Sequence, residues 1–580
     1  MAEINWSIFP LKGRAAVDVT HSSKKAPLTA SSFSLCEMTS PPTTFSIQAI
    51  LAFMFDHLSS ALRHQGGLSR RLFLSYAASL STIPLLGQTA GNAKKVAFST
   101  DPFTMGVASG DPDHESVILW TRLAPKPLEP GGGMPKHPVE VNWEIAKDDA
   151  FKKVVGSGKV KATPALGFSV HIEAKELKAD HCYYYRFRSG DAGSPIGRTR
   201  TMPLPDANPE KLRFAVTSCQ HWEQGLFTAY QQMAKDQPDF VFHLGDYIYE
   251  YAAGKGGNVR RHIGVEIESL DDYRVRYCQY RTDKDLQAMH AACPWFLTWD
   301  DHEVDNNYAN DISEQSGVTP AQLLLRRANA YQAYYEMMPL RPTSLPQGPH
   351  LQLYRRGSFG KLAEFFVLDT RQYRTNQPNN DGRAPLNEAA LNPRNTLLGE
   401  AQRKWLFESL KKSPGTWNIL AQQVMMALVD RKTKGDTAAY SMDQWPGYAA
   451  ERQKLLEHIR DHKVSNAVVL TGDIHSNWAN ELRVDDRKVE LPTVATEFVT
   501  TSLSSGGNGS PNVNSLDILQ GRNPCNKFHN RERGYIMCDV TPETYTADYK
   551  VINEVQKTGG VTTSRAKFVV EAGKPLIQKI

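Results

Sequence analysis

Five apolar runs in this chain end in residues that bind metals or carry protons. They are Leu212-Arg-Phe-Ala-Val-Thr-Ser-Cys219, Phe240-Val-Phe-His-Leu244 leading to Asp246 and Tyr249, Trp295-Phe-Leu-Thr-Trp-Asp300-Asp301-His302, Phe365-Phe-Val-Leu-Asp369-Thr-Arg371, and Ala467-Val-Val-Leu-Thr-Gly-Asp473-Ile-His475. Short apolar runs of this kind read as buried strands. Helical stretches lie between them, so a layered domain of strands and helices is predicted. Leu270–Arg281 and the segment from Asp285 onward are the clearest of those helices. Layered sheets bind ligands beyond the carboxyl ends of their strands, and all five runs deliver their polar groups there.

Taken singly, each of these residues has an ordinary structural explanation. Cys219 suits a small buried position, His302 or His475 a hydrogen-bonded one, Asp300 or Asp301 a helix cap, and Asp369 with Arg371 a salt bridge. Gathered in one cleft, the carboxylates repel one another and hold their protons unless cations neutralise them. Multivalent metal is the economical solution. An Asp such as Asp246 can bridge two cations, thiolate and phenolate donors suit Fe(III), and carboxylate or carbonyl oxygens suit Ca(II).

At 580 residues the chain exceeds one ordinary domain. A net charge of +5 spread over that length is too small to argue for nucleic acid or a polybasic membrane patch. Its seven cysteines (Cys36, Cys182, Cys219, Cys278, Cys293, Cys525, Cys538) are odd in number and lack framework spacing, which leaves at least one thiol free.

Residues 1–66 show no sustained amphipathic period and read as disordered. At Ser69-Arg70-Arg71-Leu72-Phe73-Leu74 a twin-arginine motif precedes the mildly apolar run Ser75–Gly87 and the small residues Thr89–Ala93. This layout predicts a Tat export signal over residues 54–95, cleaved near Ala90 or Ala93, and a periplasmic or secreted destination reached through the Tat machinery. The run is too short and polar to span a bilayer, so no membrane span is expected in the mature protein. Because the motif stands far from the first residue, Met54 is expected to be the true initiator, with residues 1–53 a disordered extension or not translated. N-terminal sequencing of the mature protein tests this, and an N-terminus upstream of Met54 would overturn it.

From residue 96 to 202 the pattern turns to short alternating strands, among them Ser116–Thr121, Val139–Ile145 and Ser169–Ala174, parted by turns such as Gly110-Asp-Pro112 and Pro130-Gly-Gly-Gly133. Leu177-Lys-Ala-Asp-His-Cys-Tyr183 resembles the tyrosine corner of immunoglobulin-like and fibronectin-type sandwiches, with Ala179 where proline is usual. A β-sandwich with a structural or positioning role is predicted, closed by the linker Met202-Pro-Leu-Pro205, with the chemistry in residues 206–580. Gly254-Lys-Gly-Gly-Asn258 lacks the spacing of a nucleotide phosphate loop. The absence of any His-x-Lys-x4-Asp motif leaves phosphohistidine chemistry unsupported.

Ser-Cys219-Gln, His-Leu-Gly-Asp246-Tyr-Ile-Tyr249-Glu, Trp-Asp300-Asp301-His302-Glu-Val-Asp-Asn306-Asn307, Leu-Asp369-Thr-Arg371-Gln-Tyr, Asp443-Gln-Trp-Pro-Gly-Tyr448 and Thr-Gly-Asp473-Ile-His475-Ser resemble the PhoD-like family of alkaline phosphatases and phosphodiesterases, part of the calcineurin-like metallophosphoesterases. The likeness runs from about Val96 to Arg533-Gly-Tyr535 and Asp539–Glu543. It implies an α+β protein with an N-terminal immunoglobulin/fibronectin-like β-sandwich followed by a four-layer αββα metallophosphoesterase domain. It also implies one ferric ion with calcium: Cys219, Tyr249 and His475 on Fe(III), Asp246 bridging, and Asp473 with one or both of Asp300 and Asp301 on Ca(II). The Asp-Asp-His triplet allows more than one register. Asn306 and Arg371 are implied as polar contacts to the phosphate or the metal shell.

In the reaction so implied, the metals hold the phosphate oxygens and acidify a water, hydroxide rather than a serine attacks phosphorus in line, and His302 is a candidate proton donor to the leaving alkoxide. Three functions stay open. The first is an exported phosphomonoesterase or phosphodiesterase acting on phosphate esters; the second is a phospholipase D-like phosphodiesterase on the same fold; the third is a secreted binding or adhesion protein with a structural metal cleft.

Overall fold

Alternation along the central strands decides which way each one faces. In β9 (Leu212–Thr217) and β10 (Phe240–His243), Phe214, Val216, Phe240 and Phe242 enter one core while Ala215 and Val241 enter another. In β13 (Ala363–Val367), β15 (Trp417–Ala421) and β17 (Ala467–Thr471), Phe365, Ile419, Val468 and Leu470 enter that first core while Phe366, Leu420 and Val469 enter a third. Strands buried on both faces read as unbroken apolar runs, which is how they stand in the sequence. The computed structural model describes residues 98–580; the predicted disordered extension, Met54 start and twin-arginine signal lie outside the described residues.

One sheet runs in the order β5 (Ser169–Ala174), β2 (Val117–Arg122), β1 (Val107–Gly110), β11 (Trp295–Leu297), β10, β9, β21 (Asn526–Val540), β22 (Thr544–Ile552), β23 (Thr562–Glu571), β24 (Lys574–Lys579). A second runs β12 (Arg355–Phe359), β13, β15, β17, β19 (Ala495–Val499), β18 (Asn477–Leu482), and again β21. The strands that carry the polar endings are parallel within each sheet, so their carboxyl ends share a rim. The residues of β21 divide between the two sheets: Asn526–Asn530 pair with β18, and Arg533–Val540 pair with β22 and, from Ile536, with β9. At the crossing Gly534 has φ +152, and a Cβ there would lie 1.9 Å from the Lys550 carbonyl oxygen, so no larger residue fits.

Between the sheets sits an aromatic core. Phe214 stacks on Phe240 at 5.2 Å, and Phe242, Phe296, Phe365 and Tyr545 meet this pair edge-on or tilted. Each such ring contributes on the order of 2 kcal/mol by its burial. Helices α1 (Thr228–Asp236), α2 (Leu270–Arg281), α3 (Lys284–Ala292) and α4 (Pro320–Met337) supply Tyr230, Tyr277, Met289 and Tyr334 to the core that also takes Val241 and Trp295. Helices α5 (Gly399–Lys411) and α6 (Ala449–Asp461) supply Leu406, Leu410, Leu455 and Leu456 to the core of Phe366 and Val469, joined by Leu519 of α7 (Leu516–Arg522). Sequence sets the helix starts: Ser269 and Asp272 form a capping box at α2, and Thr319 with Gln322 forms one at α4, with Pro320 in its first turn.

Ahead of these layers, β3 (Val139–Ala146) pairs with β4 (Val154–Ala162) and β6 (Cys182–Ser189), and β6 also pairs with β7 (Ala192–Gly193) and β8 (Gly197–Arg200). Val117, Leu119, Val141, Ile145, Tyr185 and Phe187 share one core between this sheet and β1, β2 and β5. At the segment that resembles a tyrosine corner, the Lys178 backbone N–H donates to the Tyr183 hydroxyl at 2.8 Å. Because β1 pairs with β11 through Gly110 and Trp295, the early strands continue a sheet of the later layers. Short pairings of β14 (Arg383–Ala384) with β16 (Tyr440–Ser441) and of β20 (Gly509–Ser510) with β21 complete the strands.

Candidate active site

The polar strand ends converge through unusual backbone. Cys219 (φ 58), Asp246 (φ 57), Asp473 (φ 62) and His475 (φ 53) are all left-handed, a conformation that costs a non-glycine residue on the order of 1 kcal/mol. Four such residues at one rim are strain held in place by neighbours. Cys219 and Gln220 donate their N–H groups to the carbonyls of Gly245 and Asp246, each at 3.0 Å, which staples the end of β9 to that of β10. Gly245 (φ 106) lets the chain turn: a Cβ on it would sit 2.4 Å from the Asp300 backbone nitrogen.

The side chains form three overlapping groups whose ligand-type atoms lie within 4.8 Å of one another: Cys219, Asp246 and His475; Asp246, Asp301 and His302; and Asp300, Asp301 and Asp473. Tyr249 joins the first, donating its hydroxyl to Asp246 Oδ2 at 2.8 Å and lying 3.2 Å from His475 Nε2. The structure thus brings together every residue expected from the sequence to hold metal.

Arg371 is fully buried among the carboxylates. Its guanidinium contacts Asp300 through Nε, Asp443 Oδ1 at 2.9 Å through Nη1, and Asp473 Oδ1 at 3.2 Å and Asp301 Oδ1 at 3.4 Å through Nη2. It therefore holds the acidic cluster together rather than standing free in the cleft. Asn306 is turned toward Glu314 and the Tyr251 hydroxyl, beside Glu250, which accepts its backbone N–H at 3.1 Å.

His302 places Nδ1 2.8 Å from Glu250 Oε2 and packs its ring on Tyr249 at 4.1 Å, leaving Nε2 as its free atom.

Sequence reasoning gave no role to Glu303, Glu250, Asp443, Gln444 or Ser505. Glu303 accepts the backbone N–H groups of Asp246, Tyr247 and Asp300; Gln444 donates to Asp473 Oδ2 at 3.0 Å; Ser505 donates to the Tyr249 hydroxyl at 2.8 Å. Glu303 and Asp443 stand inside the motifs that carry the resemblance, so the signal was there. The Gly254–Asn258 loop is no phosphate cradle, because the Glu223 carboxylate already takes the Gly254 and Gly256 N–H groups.

The electrostatics describe a site that wants cations. Burial and Asp246 push the Cys219 thiol well above its ordinary value, and burial, Asp246 and Cys219 do the same to the Tyr249 phenol. Burial raises Asp300 well out of the carboxylate range despite Arg371, and burial with Asp443 pushes Asp473 up to about 7. Asp301 goes the other way, since Arg371, His302 and the Asn307 amide outweigh its burial. Buried Asp246 Oδ1 and Asp300 Oδ2 have no hydrogen-bond partner. Orphaned anionic oxygens beside a thiol, a phenol and an imidazole are a donor set that fits multivalent metal.

A positive edge adjoins this cluster. Arg533 donates to the His475 and Gly507 carbonyls, and Arg431 lies 4.9 Å over the Trp478 ring; neither has a carboxylate partner among the described residues.

Comparison with known proteins agrees with this geometry. Residues 214–549 match the PhoD-like phosphatase family and residues 88–203 match the PhoD-like phosphatase N-terminal domain. Alkaline phosphatase D of Bacillus subtilis (strain 168) is 49% identical over 521 residues, covering 88% of this chain and 89% of that one. The solved structure of PhoD superposes with a TM-score of 0.81 at 50% identity, covering 84% of this chain and 93% of that one. A fold and site of this kind define a phosphoric ester hydrolase. The chain belongs to the PhoD-like phosphatase family, and the reading as a non-enzymatic binding protein is set aside.

Proposed function

We propose that this protein is an exported, metal-dependent phosphoesterase that releases phosphate from phosphomonoesters or phosphodiesters. The observation that carries the reading is the convergence of Cys219, Asp246, Tyr249 and His475 beside the Asp300, Asp301 and Asp473 cluster. Cys219, Tyr249 and His475 would hold Fe(III), Asp246 would be shared, and Asp473 with Asp300 or Asp301 would hold Ca(II). When bound, these ions supply Lewis acidity that polarises the phosphoryl group and acidifies water.

The chain's own groups set the rest of the chemistry. Arg371 fixes the carboxylates and offsets their mutual repulsion. Glu303 orients Asp246 and Asp300 through their backbone N–H groups. Glu250, Asp246 and Asp301 outweigh burial and raise the affinity of His302 for a proton, and Nε2 is the atom left to protonate a leaving alkoxide. Buried aromatic walls, Tyr249 among them, exclude bulk water from this proton.

We read the early strands as an immunoglobulin/fibronectin-like sandwich and the rest as a four-layer αββα domain, a reading supported by the shared cores on either side of each sheet. Export is supported by the twin-arginine segment Ser69–Leu74. Among the described residues no helix is long and apolar enough to cross a membrane. Metal analysis of the mature protein, with hydrolysis of nitrophenyl phosphate and bis-nitrophenyl phosphate, tests the proposal. Near-stoichiometric iron with calcium, and activity lost in Asp246→Ala and Cys219→Ser, is the expected result; an iron-free protein whose turnover ignores both substitutions would overturn it.

A further inference from the structure

A cavity of ≈ 250 Å³ lies where α4, the loop after β13 and the first turn of α5 meet, lined by Asn310, Arg327, His350, Gln372, Tyr373 and Glu400 among others. None of these residues belongs to the acidic cluster. Arg327 is 1% exposed. Its Nε donates to the Pro349 carbonyl at 2.9 Å, and its Nη1 donates to the Asn310 carbonyl at 2.7 Å and to the Asn310 side-chain oxygen at 3.2 Å. Among the described residues Nη2 makes no hydrogen bond and no carboxylate reaches the guanidinium; the Tyr331 ring lies 5.6 Å away. A buried guanidinium without a counter-charge is costly, and these neutral oxygens do not neutralise it.

The opposite wall supplies the same sign of charge. Helix α5 is thirteen residues long, and Leu398 at its capping position offers no side-chain acceptor. Thr396 Oγ1 takes the Gly399 N–H, while those of Glu400 and Ala401 meet no side-chain acceptor. Free N–H groups at a helix start carry positive potential and bind oxyanions. The nearest acidic groups already have donors, Glu451 at the residues just before α5. Asp369 accepts from Trp299, Arg371 and Gln372, and Glu451 accepts from Leu397, Leu398, Thr396 and Arg403. Glu400 lines the cavity from an exposed position.

We propose that this cavity is a second anion site, taking a small tetrahedral oxyanion such as inorganic phosphate between Arg327 Nη2 and the first-turn N–H groups of α5. The site is coupled to the catalytic cleft by covalent neighbours. Arg371 holds the acidic cluster, Gln372 and Tyr373 line the cavity, and Asn310, which Arg327 grips, donates its own N–H to the Arg371 carbonyl at 3.2 Å. An anion here loads the loop that positions Arg371, so the released product acts back on the enzyme from outside the cleft. The choice of phosphate as probe rests on the phosphoesterase reading; the existence of the site does not.

Calorimetric titration of the metal-loaded full chain with inorganic phosphate, beside steady-state inhibition, tests it in wild type, Arg327→Lys and Ala401→Pro. Proline is tolerated in a first helical turn and removes one N–H from the cavity, so Ala401→Pro carries the test even if Arg327→Lys does not fold. The expected result is two equivalents in wild type, one of them competitive with substrate, and at least tenfold weaker binding of the other in both variants with the competitive constant unchanged. One equivalent in wild type, or two undiminished equivalents in the variants, would overturn the site. Loss of the competitive equivalent alone would fault the catalytic reading and support this one.

Discussion

Glu303 accepts the backbone N–H of Asp246 at 3.0 Å, and through the same oxygen it accepts the N–H of Asp300 at 2.8 Å. A carboxylate that touches two residues of the acidic cluster only through their main chain sets where their side chains point. Such supporting partners typically govern metal affinity or activity by about 10–100-fold. Glu303→Gln is therefore expected to lose iron or kcat/KM by that factor while keeping the fold. Metal content, turnover of bis-nitrophenyl phosphate and circular dichroism together check it, and unchanged metal and turnover would refute the positioning role.

Among the described residues Arg371 is the sole cation in contact with Asp300, Asp301 and Asp473 together. Its replacement by Met strands buried carboxylates, which costs about 3–5 kcal/mol where a buried charge loses its partner. With the guanidinium gone, the folded state binds more protons than the unfolded one, so the metal-free variant's deficit grows as pH rises from 5 to 8. Denaturant unfolding of the metal-free proteins at both values measures this, and a pH-independent deficit would contradict it.

If His302 protonates the leaving oxygen, His302→Gln has a signature that a packing defect lacks. Turnover of alkyl phosphate esters, whose alkoxide needs a proton, is expected to fall by about 10²–10⁴-fold. Nitrophenyl esters, which leave without help, are expected to lose far less. Equal losses on both ester types would show that the residue only packs against Tyr249.

Two buried histidines fold in their neutral form. Burial lowers His243 to about 3 and His529 to about 4, the latter stacked on Trp478 at 3.5 Å. The unfolded chain takes up these protons near 6.5 and the folded chain does not, so stability is lost as pH falls from about 6.5 to about 4. Each group contributes a slope of about 1.4 kcal/mol per pH unit within its window. His529→Gln is expected to flatten the curve of unfolding free energy between pH 6.5 and 4; an unaltered slope would show that His529 titrates normally.

The strand ends were legible because a buried strand writes its burial as an apolar run and its polar groups as the next few residues. Cys219, Asp246, Tyr249, Asp300, Asp301, Asp473 and His475 were all reachable in that way. Arg371 was legible as a polar contact, but its grip on carboxylates from three other loops was not, since nothing local records which distant groups a long side chain meets. The same holds for Glu303 and Ser505, whose work is done through backbone groups and a hydroxyl far away in sequence. Helix α2 was read over Leu270–Arg281, the span it occupies. Continuity of the β1–β11 sheet was not, because the prolines at Pro203 and Pro205 read as a spacer between modules.

The path of β21 has a consequence for biosynthesis. This strand borders β9, whose end carries Cys219, and also borders β18, which follows directly on Asp473 and His475. Residues emerge from the ribosome in order, so the one strand that pairs with both sheets arrives only when nearly the whole chain has been made. On the proposed reading, a chain cut short before Asn526 would carry every candidate ligand yet lack the strand that borders both β9 and β18.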